Sequence, residues 1–148
     1  MGSKNKLKRF KENLTFDNVI QPTRDDLLSG NFKLKGKWNK QVFKNNNPIV
    51  LELGCGKGEY SIGLAKKNPK KNFIGIDIKG ARFWKGAKDA QLNGLKNVYF
   101  VRCQIELLLK IFEENEISSM LFKNLLSSSA IFLVKVVAKT FSFKLTFS

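Results

Sequence analysis

The sequence predicts a parallel α/β sheet, and three observations carry that reading. Short apolar, β-branched runs alternate with helical periodicities between residues 48 and 117, the first run ends in a glycine-rich turn, and the second ends in an acid. Strands and helices alternating at this length build parallel sheets with right-handed crossovers. The first strand is Pro48-Ile49-Val50-Leu51-Glu52-Leu53. A helix follows from Glu59 to Lys67, where Tyr60, Ile62 and Leu64–Ala65 share a face and Asn68-Pro69 stops it. The second strand is Asn72 to Ile78, and the second helix runs from Ala81 to Leu92, closed by Asn93-Gly94. The third strand is Asn97 to Arg102, and the third helix is Ile105 to Phe112, apolar at Ile105, Leu108, Leu109 and Phe112.

Composition narrows the chemistry. The 148 residues suffice for one domain with a single core. With 27 Lys+Arg against 12 Asp+Glu, the formal charge is +15, which favours an anionic partner, nucleic acid before membrane. There is no histidine, so Ser-His-Asp and Cys-His catalysis and imidazole-based zinc sites are excluded. Cys55 and Cys103 form no CxxC, which argues against a disulfide framework or a cysteine-rich metal site. The polar, basic first residues carry no apolar signal segment, and lysines interrupt the Met120–Ala138 stretch. The expectation is a cytoplasmic protein with no membrane contact and no metal.

Three zones differ in makeup. Residues 1–47 form a basic N-terminal extension of net charge +7, residues 48–117 carry +4, and residues 118–148 hold four lysines and no acid. All eleven glycines and all three prolines precede residue 95.

The most informative segment is Glu52-Leu53-Gly54-Cys55-Gly56-Lys57-Gly58-Glu59. A glycine turn between strand and helix lets backbone approach a nucleotide-like ligand. Its GxGxG spacing puts Glu59 where a dinucleotide fingerprint needs its third glycine, and Lys57 lacks the following Ser or Thr of a phosphate-binding loop. Glu52 and Glu59 would repel a pyrophosphate but suit a cation. Asp77, 21 residues after Gly56, ends the second strand, where an acid can accept hydrogen bonds from ribose hydroxyls. These features favour S-adenosylmethionine, which has an ammonium and a sulfonium but no phosphate, over NAD. The competing reading is a tight turn flanked by solvated strand-end acids.

These residues resemble the bacterial tRNA (guanine-N(7))-methyltransferases. The likeness runs from the opening Gly-Ser-Lys-Asn-Lys-Leu through Leu34–Trp38 and Pro48–Tyr60. It continues through Asn72–Arg82, with its specific Gly-Ile-Asp-Ile-Lys-Gly-Ala-Arg run, to Asn97-Val98, Arg102 and Glu116-Ile117-Ser118, about four-fifths of the chain. The resemblance implies a Rossmann-like class I methyltransferase fold, with a donor-binding half over residues 48–118. It implies that Glu52 and the backbone of Gly54, Gly56 and Gly58 contact the methionine part of S-adenosylmethionine, and that Asp77 takes the ribose. Gln104 falls where the family has a residue beside the adenine; an exposed first-turn position is the equal alternative.

Guanine N7 bears an in-plane lone pair and no proton, so methyl transfer to it needs alignment and electrostatic fit rather than a general base. No acid–base catalyst is therefore assigned. For tRNA, Lys4, Lys6, Lys8, Arg9 and Lys11 form a basic arm, while Lys79, Arg82, Lys85 and Lys88 follow the second strand as candidate RNA contacts. Each of these lysines is as readily part of a solvated face. Trp38, Phe83 and Trp84 could stack on a base, with core packing preferred for Phe83 and Trp84.

After Ser118 the resemblance stops. The family's fourth strand carries a Phe-Pro-Asp-Pro-type segment, with its aspartate at the substrate guanine, and none is present. The expectation is an incomplete fold of three to four parallel strands, with residues 119–148 an atypical tail, read as out-of-frame translation before natural divergence. The switch-point strand would then have an unpaired edge, which the Ala130–Ala138 run could partly cover. Weak or no catalysis by this chain alone follows. The rival readings are a non-catalytic RNA-binding fragment and a class I methyltransferase acting on another substrate.

Overall fold

The computed structural model describes residues 3–122, 131, 135, 137, 139, 141 and 145–147. Six parallel strands form one sheet in the order β1-β4-β3-β2-β5-β6. Helix α1 (Ser3–Asn13) leads into β1 (Val19–Ile20) and α2 (Arg24–Leu28), and a π-helical turn, Trp38–Phe43, precedes β2 (Ile49–Leu53). Then come α3 (Glu59–Lys67), β3 (Asn72–Asp77), α4 (Gly80–Leu92) and β4 (Val98–Arg102). A 3-10 turn, Ile105–Leu107, runs into α5 (Leu108–Ile111), followed by β5 (Ser119–Phe122) and β6 (Leu145–Phe147). All the elements expected between residues 48 and 112 are present, the last helix starting as a 3-10 turn.

Every residue of β2 and β3 is buried, as befits central strands of a parallel sheet covered on both faces. Side chains alternate between faces. Leu51, Leu53, Ile74, Ile76 and Val101 pack with Trp38, Leu108 and Phe112 on one face. On the other, Val50, Phe73, Val98 and Phe100 pack against Ile62 and Ala65 of α3 and Phe83, Ala87 and Ala90 of α4. Trp38 and Phe83 are thus core side chains, Phe83 stacked on Phe100 at 5.6 Å and Trp38 donating from Nε1 to Ile111 O at 3.1 Å. Half-buried Trp84 donates to Glu12 on α1 at 2.8 Å.

Two differences from the sequence reading stand out. The edge of β2 expected to be unpaired is covered by β5, in register from Val50↔Ser119 to Leu53↔Phe122. Met120 and Phe122 reach the core, continuing the alternation past Ser118 without any turn residue to announce a strand. The Ala130–Ala138 run lies largely outside the described residues; those of its residues that are described, 131, 135 and 137, are helical rather than strand.

Secondly, the N-terminal zone is docked. β1 pairs with β4 at Val19↔Phe100 and Ile20↔Val101. Asn13 Nδ2 donates to Gly80 O at 2.9 Å, and Asn18 Nδ2 to Ala87 O at 2.9 Å, which fasten α1 and the following loop to α4. Two residues of β-branched character are too few for periodicity to reveal a strand. Helix α2 opens with a capping box in which Thr23 and Asp26 exchange side-chain and backbone hydrogen bonds.

The glycines of α3 and α4 differ in a way that predicts opposite outcomes. A Cβ on Gly86 would lie 2.5 Å from Lys57 O, in backbone that joins β2 to α3, whereas one on Gly63 would meet nothing within 4 Å. Gly86→Ala should lower stability by about 1–3 kcal/mol, despite improving helix propensity. Gly63→Ala should be neutral or stabilising by up to about 1 kcal/mol. Urea unfolding of the two variants beside the parent measures both.

Candidate active site

The order β4-β3-β2-β5 makes β2 the point where successive strands change direction across the sheet, and ligands of such sheets bind beyond the strand C-termini there. The β2–α3 turn lies at that place. Gly54, Gly56 and Gly58 all have positive φ, at 70°, 56° and 77°. A Cβ on Gly54 would meet nothing within 4 Å, and one on Gly56 only the Arg82 guanidinium at 3.5 Å. These two glycines therefore leave open room above the turn. Gly58 differs: its N–H donates to Cys55 O at 2.9 Å, and a Cβ there would come within 2.5 Å of the Phe100 ring. Its glycine is required by packing.

Two buried carboxylates brace the turn. Glu52, 3 % exposed, accepts from Ser61 N at 3.1 Å and from Ser61 Oγ, at the first turn of α3. A carboxylate there is stabilised by the positive end of the helix dipole. Asp77, 5 % exposed, accepts from Gly56 N at 3.0 Å through Oδ2 and from Lys79 N at 2.8 Å through Oδ1. A carboxylate offers about four acceptor positions, so these two hydrogen bonds leave capacity on the group for hydroxyl donors. Burial, then the charges of Glu52 and Asp77, pushes the Cys55 thiol well above its usual range. The Arg82 guanidinium on the rim of the turn opposes that shift.

Gln104 lines a cavity of about 210 Å³ with Pro22, Arg24, Leu27, Ile78 and Leu107, and its amide oxygen accepts from Arg24. Ile78, beyond the end of β3, is 48 % exposed despite its size. Arg24 and Ile78 went unremarked in the sequence. The apolar residue directly after the strand-end acid was the available signal for Ile78; nothing local points to Arg24, which only folding brings to Gln104.

The four candidate RNA contacts separate. Arg82 sits 3.7 Å from Asp77, on the rim of the glycine turn. Lys85 pairs with Asp89 at 2.8 Å, one turn along α4. Lys88 reaches Glu12 at 3.6 Å and lies over the Trp84 ring at 5.0 Å. Lys79 alone of the four projects from the start of α4 without an ion pair among the described residues. Among the described residues no group of three or more His, Cys, Asp or Glu could hold a metal ion, and no helix is long and apolar enough to cross a membrane.

A family described as "Putative methyltransferase" matches residues 46–123, running past Ser118 to take in β5. The chain belongs to this methyltransferase family. The chain is 67 % identical over 118 residues to the tRNA (guanine-N(7)-)-methyltransferase of Christiangramia forsetii, a match that covers 80 % of this chain and 53 % of that protein. It is 49 % identical over 115 residues to the protein of the same name from Bacteroides fragilis, covering 78 % and 46 % respectively. The chain thus spans about half the length of these curated relatives. Among solved structures, the 16S rRNA methyltransferase KamB superposes with a TM-score of 0.58 at 17 % identity, over 73 % of this chain and 56 % of KamB. PKMT2 from Rickettsia typhi, in complex with AdoHcy, superposes with a TM-score of 0.55 at 20 % identity, over 68 % and 20 %. The fold is that of a Rossmann-like class I methyltransferase.

Both cysteines are buried and free. Burial, with a smaller effect of Glu106, pushes the Cys103 thiol up to about 12. In the folded chain both should resist a thiol reagent at pH 8 that modifies them at once in denaturant, as read by absorbance. Unfolded thiols ionise from about pH 8.5, while folded Cys103 keeps its proton, so this group's contribution to stability is full below that pH and falls as pH rises towards about 12. Urea unfolding of Cys103→Ala should show a shallower alkaline loss of stability than the parent.

Proposed function

We propose that the chain binds S-adenosylmethionine at the β2–α3 turn and serves methyl transfer to guanine N7 of tRNA in the cytoplasm. The observation that carries this reading is the pair of buried carboxylates, Glu52 and Asp77, set around a glycine turn whose Gly54 opens onto free space. The donor set fits the group. The carboxylates Glu52 and Asp77 suit an ammonium and a sulfonium, Asp77 retains capacity for ribose hydroxyls, and the cavity between Ile78, Leu107 and Gln104 suits a flat purine. Backbone at Gly54, Gly56 and Gly58 lies against the methionine part, and the Phe100 ring behind Gly58 holds the turn in shape. When bound, S-adenosylmethionine supplies an electrophilic methyl group.

The chain's own task is then positional. Guanine N7 carries no proton to remove, so none of these residues acts as a base. Glu52 holds the start of α3 through Ser61 and Asp77 holds Gly56, so the turn is preorganised before any ligand arrives. The relatives named tRNA (guanine-N(7)-)-methyltransferase support tRNA as the substrate, and the excess of 27 Lys+Arg over 12 Asp+Glu supports a polyanionic partner. No carboxylate follows Glu116 in the sequence, so the aspartate that the resemblance places at the guanine has no counterpart here.

Calorimetry with AdoHcy tests the donor site. The parent chain should bind it and prefer it to NAD. Asp77→Asn, which removes the charge and puts an amide donor at one of the two accepting positions, should weaken AdoHcy by about tenfold or more. Preference for NAD, or an Asp77→Asn variant that binds AdoHcy as well as the parent, would refute the assignment. Labelled methyl transfer to unmodified tRNA, trapped on a filter, should be detectable only at high enzyme.

A further inference from the structure

A second cavity, of about 360 Å³, opens between α1 and the β3–α4 junction, and the donor site does not use it. Its apolar wall is Leu7 and Phe10 of α1 with Ile78, and its polar lining includes Lys6, Lys79 and Arg102. No acid lines it. Leu7 is 57 % exposed and Ile78 48 % exposed, so two large apolar side chains are presented to solvent at one opening. The Arg102 guanidinium lies over the Phe10 ring at 5.3 Å while its Nε donates to Ile78 O at 3.1 Å, which holds these three residues in a set arrangement. α1 itself is fastened to α4 by Asn13 and Glu12, so the wall it supplies is part of the folded chain. Ile78 and Arg102 also line the cavity assigned to the adenine, so the two cavities adjoin.

Exposed apolar surface bordered only by cations matches one chemistry well: an unstacked base, with the phosphates beside it. An uncharged lipid or an apolar peptide would not need the three cations; a free anion would not need Leu7, Phe10 and Ile78. We propose that this cavity receives a splayed nucleotide of the RNA substrate, its base against Leu7 and Ile78 and its phosphates at Lys6 and Lys79. The proposal rests on the reading of the chain as a tRNA methyltransferase and extends it to a second contact, which would hold RNA beside the donor. It also gives α1 a role that differs from a loose basic arm: one face docks on α4 and the next shapes a base-sized recess.

The test measures the full chain's affinity for unmodified tRNA and, separately, for AdoHcy. Leu7→Ala changes no charge and alters an exposed side chain, so the fold is kept, as circular dichroism will verify. Loss of the apolar area that a base would bury against Leu7 corresponds to about a tenfold change in affinity. Leu7→Ala and Lys6→Ala should each weaken tRNA about tenfold and leave AdoHcy unchanged. Lys70→Glu, a larger charge change at the opposite end of the sheet, should alter tRNA binding less than Leu7→Ala does. If the parent binds tRNA and Leu7→Ala binds it equally, the cavity is not a nucleotide site, and the proposed function stands. If Leu7→Ala weakens AdoHcy instead, the cavity belongs to the donor and the inference is overturned. A parent chain that binds AdoHcy but no tRNA overturns the tRNA reading and this inference together.

Discussion

The Asp77 carboxylate is the constraint on which the site depends. Its two oxygens accept from Gly56 N in one crossover turn and Lys79 N in the next, so it joins the ends of β2 and β3 through their backbones. Such bonds to a charged acceptor are stronger than neutral ones. They hold Gly56 at a φ of 56°, which a side-chain-bearing residue adopts only with strain. Glu52 does the same work one strand over, through Ser61. Both acids lie on the sheet face covered by α3 and α4, because strand alternation places Glu52 with Val50 and Asp77 with Phe73. The turn and the open space above it follow from these two placements.

Behind the turn, the requirement is for closeness. Gly58, Gly75 and Gly86 converge on the Phe100 ring, and a Cβ on any of them would lie within about 3.2 Å of it. Three glycines from α3's start, β3 and α4 thus make room for one aromatic side chain of β4. This packing brings the helix N-terminus down onto the sheet, so that the turn above it is thin enough for a ligand to reach backbone. A packing residue far from the opening thereby sets the shape of the opening.

The distribution of charge shows how folding turns a basic composition into distinct surfaces. Lys85 and Lys88, equivalent to Lys79 by sequence, are paired with Asp89 and Glu12, whereas Arg82 turns to Asp77. Lys79 is left beside Lys6 and Arg102, which arrive from α1 and β4. A periodic basic stripe on α4 is therefore replaced by a small cationic cluster around exposed apolar side chains, assembled from three elements.

By itself, the sequence determined the strands and helices from residue 48 to 112, the parallel sheet, the glycine turn and the acids Glu52 and Asp77. All of these are local signals: period-two and period-3.6 patterns, a glycine spacing, an acid at a strand end. It also carried the likeness to a methyltransferase family, which the match over residues 46–123 established. Only the tertiary structure decided what depends on partners distant along the chain. The two-residue β1 exists because β4 offers an edge, and β5 because β2 does. Gln104 meets Arg24 across 80 residues, and Phe10 meets Arg102 across a comparable span. The Phe100 ring holds Gly58 to glycine, a demand that the spacing of the turn does not announce because the ring lies two strands on in sequence. Short-range pattern specifies an element; which side chains then share a cavity depends on long-range packing, where no local period leaves a trace.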